Sequence, residues 1–271
     1  MAGTVAVVTN AAGPVGQAVA RRLAGECRHL VLSSPDARAA RDVLAEVARI
    51  RTLHDLETDA LFVEADAATE EGARAAICSA VRTFGRVDAV VVNGELTVRN
   101  GQGDGALSVS LDGFVPAVRM AGAALERQSG GNVVLTALLS GAWPGRLGEE
   151  ARKTAVSSFA AFVHAAARAL HERGITLNGV ALEDPARADR TLDFAAPFAG
   201  SAVRADRQRR SHEFHDAAYT ARFLASREAR GVAGQVFLLS DGEPEASAPF
   251  GSADESAAFA GLFQHIERLR V

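Results

Sequence analysis

Short apolar runs alternate with helix-spaced stretches along most of this chain, and that alternation limits the fold more than any other feature. TVAVVT over 4–9 is a brief β-branched run. A glycine-bearing turn follows, and VGQAVARRLA over 15–24 then has helical spacing. Comparable apolar runs recur at 29–33, 60–66, 87–94, 130–138, 175–182 and 234–240. Helical spacing fills the intervals at about 35–50, 70–84, 107–128, 149–173 and 215–226. Ser34 followed by Pro35 reads as the start of the second helix, with serine as N-cap and proline in the first turn. Strands too apolar for one wet face, separated by crossover helices, predict a single α/β domain. Its centre is a doubly wound parallel seven-stranded sheet with helices on both faces. NGQGDG over 100–105 is expected to be a loop.

Several function classes are excluded early. With 48% apolar residues in 271, the chain can bury a large core. A net charge of -4 and a pI near 6.0 argue against a general nucleic-acid binder. No apolar run reaches ~18 residues, so no membrane span is expected. Cys27 and Cys78 have no metal-ligand spacing and are expected as reduced thiols in a cytoplasmic protein. Residues 1–242 are expected to form the domain. The polar, proline-bearing stretch at 243–256 then leads to Phe259, Leu262, Phe263, Ile266 and Leu269 at helical spacing. That tail is expected to dock on its own domain or on a neighbouring subunit.

A strand, a small-residue turn and a helix at the start of such a chain suit a dinucleotide, whose pyrophosphate needs close backbone approach and free N–H groups. Here the turn is TNAAGPVG, from Thr9 to Gly16. Together with Asp66 after the third strand, VDAVVVNG at the fourth, GITLNGVAL at the sixth and AGQVFLLSDG at the seventh, it resembles the short-chain dehydrogenase/reductase family over roughly residues 2–242. The resemblance implies a Rossmann-like fold and an NAD(P)-dependent oxidoreductase ancestry. It gives cofactor contacts to Gly13, Gly16, Asp66 and Asn93. The turn departs from the family's glycine pattern at Asn10 and Pro14, and Glu95 stands where the family has glycine. A bound dinucleotide is therefore expected weakly or not at all. Losing one charge-assisted hydrogen bond costs on the order of 1.5–3 kcal/mol, about 10- to 100-fold in affinity.

The family's chemistry uses an asparagine, a serine, a tyrosine and a lysine. Aligned on the motifs, these positions hold Ser110, Leu138, Glu149 and Lys153, so only the lysine is retained. Ser110 is expected on the helix before the fifth strand. Lys153 is the single lysine of the sequence, and its single tyrosine, Tyr219, falls in another helix. An ordinary glutamate, with a pKa of ~4.3, is ionised at neutral pH and has no proton to give. Glu149 and Lys153 at i and i+4 also form a favourable helical ion pair. After the sixth strand, Leu182-Glu183 replaces the family's proline-glycine pair. Asp241-Gly242 replaces a glycine pair, and Arg204, Arg207, Arg209 and Arg210 crowd the lid region.

Three expectations follow. The first is a catalytically silent subunit in a homo- or hetero-oligomer, paired with an intact relative, as some members of the family are. Its alanine-rich helix at 149–173 would serve the interface. The second is altered acid-base chemistry by Glu149 and Lys153, or residual NAD(P)-dependent activity. The third is a dinucleotide sensor without turnover. No metal, nucleic-acid or membrane partner is expected.

Overall fold

The computed structural model describes residues 3–54, 60–100, 107–128, 130–140, 146–183 and 214–239, except for the side chains at 100, 107, 140, 146–149 and 183. The expected loop at 100–105 lies almost wholly outside these residues. So do the arginine-rich region from 184 to 213, Asp241-Gly242 and the tail at 243–271.

The strands are β1 (Val5–Val8), β2 (His29–Ser34), β3 (Ala60–Glu64), β4 (Ala89–Asn100), β5 (Leu107–Ser110), β6 (Gly131–Ser140), β7 (Ile175–Glu183) and β8 (Val236–Leu239). The helices are α1 (Pro14–Ala24), α2 (Ala37–Leu53), α3 (Glu70–Phe84), α4 (Val115–Glu126), α5 (Arg146–His171) and α6, over 214–224. Seven strands run parallel in the order β3-β2-β1-β4-β6-β7-β8. The eighth, β5, pairs antiparallel with the far end of β4.

The VAVV of β1 is apolar throughout because both faces of the sheet are covered. Val5 and Val7 pack toward α3, α4 and α5, in a cluster with Ile77, Leu125 and Phe159. Ala6 and Val8 pack the other way, with Val19 and Leu23 of α1, Val43 of α2 and Leu224 of α6. The same alternation divides β4 and β6, so each strand contributes to two cores.

Two local expectations are corrected. Residues 107–110 form β5, and the helix begins only at Val115; Ser110 is therefore on a strand, not on the helix. In the second helix, Asp36 is the N-cap rather than Ser34. Its carboxylate accepts from the N–H groups of Arg38 (3.0 Å) and Ala39 (2.9 Å). A carboxylate cap also favours the positive end of the helix dipole. Ser34 stays in β2, and its hydroxyl oxygen accepts from the Asp36 N–H.

Candidate functional site

The turn after β1 folds with an asparagine where the sequence resemblance expects the first glycine. Asn10 takes that place with φ at 46°, the left-handed conformation that asparagine tolerates. The Gly13 N–H donates to the Asn10 carbonyl (3.0 Å), and the Ala11 N–H donates to the Ser33 carbonyl (2.8 Å), which ties the turn to β2. Gly13 is the N-cap of α1, and Pro14 is its first residue. Proline suits that position but supplies no N–H to a phosphate. Gly16 is required by packing, since a Cβ there would lie 2.1 Å from the Asn10 carbonyl oxygen.

Asn93 and Asp66 both carry structural hydrogen bonds. The Asn93 amide nitrogen donates to the Thr9 carbonyl at 2.6 Å, and its backbone N–H donates to Thr9 Oγ1 at 3.1 Å. Thr136 Oγ1 donates to Asn93 Oδ1 at 2.5 Å. The side chain thus clamps β4 to the end of β1 and to β6, inside the protein. The exposed Asp66 carboxylate accepts from the Ala68 N–H (3.0 Å), shaping the turn into α3.

Three residues stand in a row where the serine is expected. Leu138 of β6 is level with Glu95 of β4 on one side and Leu182 of β7 on the other. Leu138 is 5% exposed and Leu182 is 0% exposed, both in the core under α1 and α6. The hydroxyl two residues earlier on β6, Thr136, is committed to Asn93. Glu95, level with Leu138, is exposed.

Glu149 and Lys153 lie one turn apart in α5, and Lys153 is exposed. The Glu149 side chain lies outside the described residues. Ala151 and Ala155, on either side of Lys153, are buried in the cluster on the α4 face. Ser110 ends β5 and donates to Asp112 Oδ2 at 3.1 Å. Tyr219 is 53% exposed on α6, with the Arg22 guanidinium 4.2 Å from its ring centre. It lies across the sheet from α5.

The β4–β5 hairpin was missed in the sequence, and it changes the surroundings of the site. Thr97 is paired with Ser140 of β6 and also with Ser110 of β5. A strand has two hydrogen-bonding edges, so β5 occupies the edge facing β1. Strand order reverses between β1 and β4, which is where open α/β sheets leave a ligand crevice beyond their carboxyl ends. β5 therefore extends the column of β1 beyond that crevice. The available signal was the alternation in ELTVRN and ALSVSL on either side of a glycine-rich stretch.

Comparison with known proteins agrees with this architecture. The family described as Enoyl-(Acyl carrier protein) reductase matches residues 10–242. The chain belongs to the short-chain dehydrogenase/reductase family. Within this short-chain dehydrogenase/reductase family it is 31% identical over 185 residues to the Short-chain reductase protein NovJ of Streptomyces niveus, covering 66% of this chain and 68% of that one. It is 25% identical over 246 residues to the 3-oxoacyl-[acyl-carrier-protein] reductase FabG of Staphylococcus aureus, covering 88% and 96%. Among solved structures, a hydroxysteroid dehydrogenase from Escherichia coli has the same fold. Its TM-score is 0.64 at 19% identity, with 89% and 96% of the two chains covered. An NAD+-bound xylitol dehydrogenase gives 0.64 at 18% identity, with 88% and 98% covered. No helix among the described residues is long and apolar enough to cross a membrane.

Proposed function

We propose that this chain carries out no hydride transfer by itself and serves as a supporting subunit for an intact member of its family. The observation that carries this reading is the position of the sequence's only phenol. Tyr219 lies on α6, on one face of the sheet, and Lys153 rises from α5 on the other. Reducing a carbonyl requires a proton donor beside the reacting oxygen. Leu138 offers no hydroxyl at the neighbouring position, and a glutamate one turn from a lysine is ionised at neutral pH.

The residues fit a dinucleotide only in part. The turn from Thr9 to Gly16 and the exposed Asp66 could hold the adenosine end, less Pro14's N–H. The inner end meets the exposed acidic side chain of Glu95, which disfavours further negative charge, and the buried Leu138 supplies no hydroxyl for a proton relay. A nicotinamide group would supply a hydride there, and this chain's own residues would supply neither the proton nor the orientation of a substrate oxygen. Weak binding of NAD(P), or none, fits this arrangement. The named relatives are reductases and dehydrogenases, so the reaction supported is read as NAD(P)-linked oxidoreduction by the partner.

The purified chain is to be assayed with NADH and NADPH against a 3-oxoacyl thioester, and with native mass spectrometry beside intact relatives from its host. The expected result is no cofactor oxidation above background, together with a mixed oligomer in which the relative melts at higher temperature. Turnover by the chain alone that is lost in Lys153→Ala would overturn the silent reading. A chain that remains homo-oligomeric beside every intact relative would overturn the supporting role.

A further inference from the structure

The opposite end of the sheet carries a second cleft, of about 440 Å³, among the amino ends of β1, β6 and β7. About seven residues of β6 separate Gly131 at this end from Leu138 at the other, roughly 23 Å of strand. The volume falls within the roughly 300–1,000 Å³ of small-molecule sites.

The floor is polar and internally hydrogen-bonded. Asn132 and Thr176 are each 7% exposed, and Thr176 Oγ1 donates to Asn132 Oδ1 at 2.8 Å. The Asn132 amide in turn donates to the carbonyls of Ala225 and Ser226. One wall is bare backbone: Gly130 has φ at 114°, and a Cβ there would lie 2.3 Å from the Gly174 carbonyl oxygen. The two loops thus meet main chain to main chain, with no side chain filling the space between them.

The rim is positively charged. Three arginines and one carboxylate line the cleft. The carboxylate, Asp88, is already engaged: Arg86 holds it by two nitrogens, and the Val5 N–H donates to its Oδ2 at 2.9 Å. Arg227 and Arg230 have no carboxylate within 4 Å among the described residues, whereas Glu228 between them turns away to Arg222 (3.5 Å). Arg227 opens a 3-10 turn, Arg227–Ala229, and Arg230 follows it as the C-cap. Residues three apart in such a turn eclipse one another, so the two arginine side chains leave the backbone on one side, and both residues line the cleft. Two adjacent guanidinium forks match the oxygens of a phosphate.

We propose that this cleft binds a phosphorylated small molecule, with Arg227 and Arg230 as the phosphate clamp. The site is independent of the crevice at the carboxyl ends and of the supporting role proposed above. The test is titration of the whole chain with inorganic pyrophosphate, followed by calorimetry and amide chemical shifts, in wild type and in Arg227→Ala/Arg230→Ala. Both arginines are exposed, and a thermal melt of the variant checks that it folds. The expected result is saturable binding with shifts at Gly130, Gly174 and Arg227, weakened about 10-fold or more in the double variant. Malonate separates phosphate from dicarboxylate recognition and is expected to bind at least about 10-fold more weakly. Shifts confined to residues 10–16, unchanged affinity in the variant, equal binding of malonate, or no binding at tens of millimolar would each overturn the proposal.

Discussion

Asn93 reaches across a strand boundary to the carbonyl of Thr9, at 2.6 Å, and holds the end of β1 against β4. The same side chain accepts the Thr136 hydroxyl. Asn93→Ala strands the Thr9 carbonyl and leaves the Thr136 hydroxyl, 0% exposed, without its acceptor. A loss of about 2–4 kcal/mol is expected from two buried unsatisfied groups. Urea denaturation without any nucleotide measures it. A loss under 1 kcal/mol would mean that the residue is not a structural clamp.

The two glycines of the turn are expected to respond differently to substitution. Gly16→Ala drives a methyl into the Asn10 carbonyl oxygen, 2.1 Å away and fixed in the main chain. It is expected to cost about 3 kcal/mol or more. Gly13→Ala places its methyl 3.1 Å from the end of the Asn10 side chain, which can move, at an N-cap with ordinary extended backbone. About 1 kcal/mol is expected there. Equal melting temperatures for the two variants would contradict this account.

Leu138→Ser places a hydroxyl at the position where the sequence resemblance expects serine, but in a site built for an apolar side chain. Its neighbours Val180 and Leu182 are both 0% exposed. The variant is expected to lose about 2–4 kcal/mol and to gain no NADH oxidation. Parallel melts and cofactor assays check both halves of this expectation.

Burial raises the Cys27 thiol from 9.0 to about 12, with desolvation outweighing the nearby positive charges. The unfolded chain then ionises this thiol first as pH rises, and binds one proton fewer than the folded chain between those values. Stability from this group is intact below pH 9 and is lost as pH climbs toward 12, at about 1.4 kcal/mol per pH unit. Cys27→Ala should flatten that part of the curve relative to wild type. Iodoacetamide at pH 8.5 should label the half-exposed Cys78 well before the buried Cys27. Identical alkaline slopes in the two proteins would show that Cys27 does not titrate this way.

The sheet was legible because β1, β2, β4 and β6 are buried on both faces, and such strands must be written as nearly unbroken valine and leucine. Helix bounds followed from apolar spacing to within three residues, except for α4, which begins at Val115, eight residues after the expected start at 107. The 107–110 segment was misread because LSVSL also fits a helix entry, and only its pairing with Thr97–Asn100 decides otherwise. Strand pairing is a long-range fact that a local pattern does not contain. Asp36 outcompeted Ser34 as a cap because β2 retains Ser34 through its pairing with Glu64. At the site, residue identities were readable, but their roles were less so. Asn93 and Gly16 match a cofactor motif, yet each has a sufficient structural reason to be there, visible only when Thr9 and Asn10 are seen against them.

Lys153 is the one ε-amino group of the chain, and it is exposed near the start of α5. Amine-directed chemistry can therefore address a single side chain, apart from the chain's own amino end. A short bifunctional reagent attached there would have one point of departure. Whatever it captured would be a molecule that had come within tether length of α5 in solution.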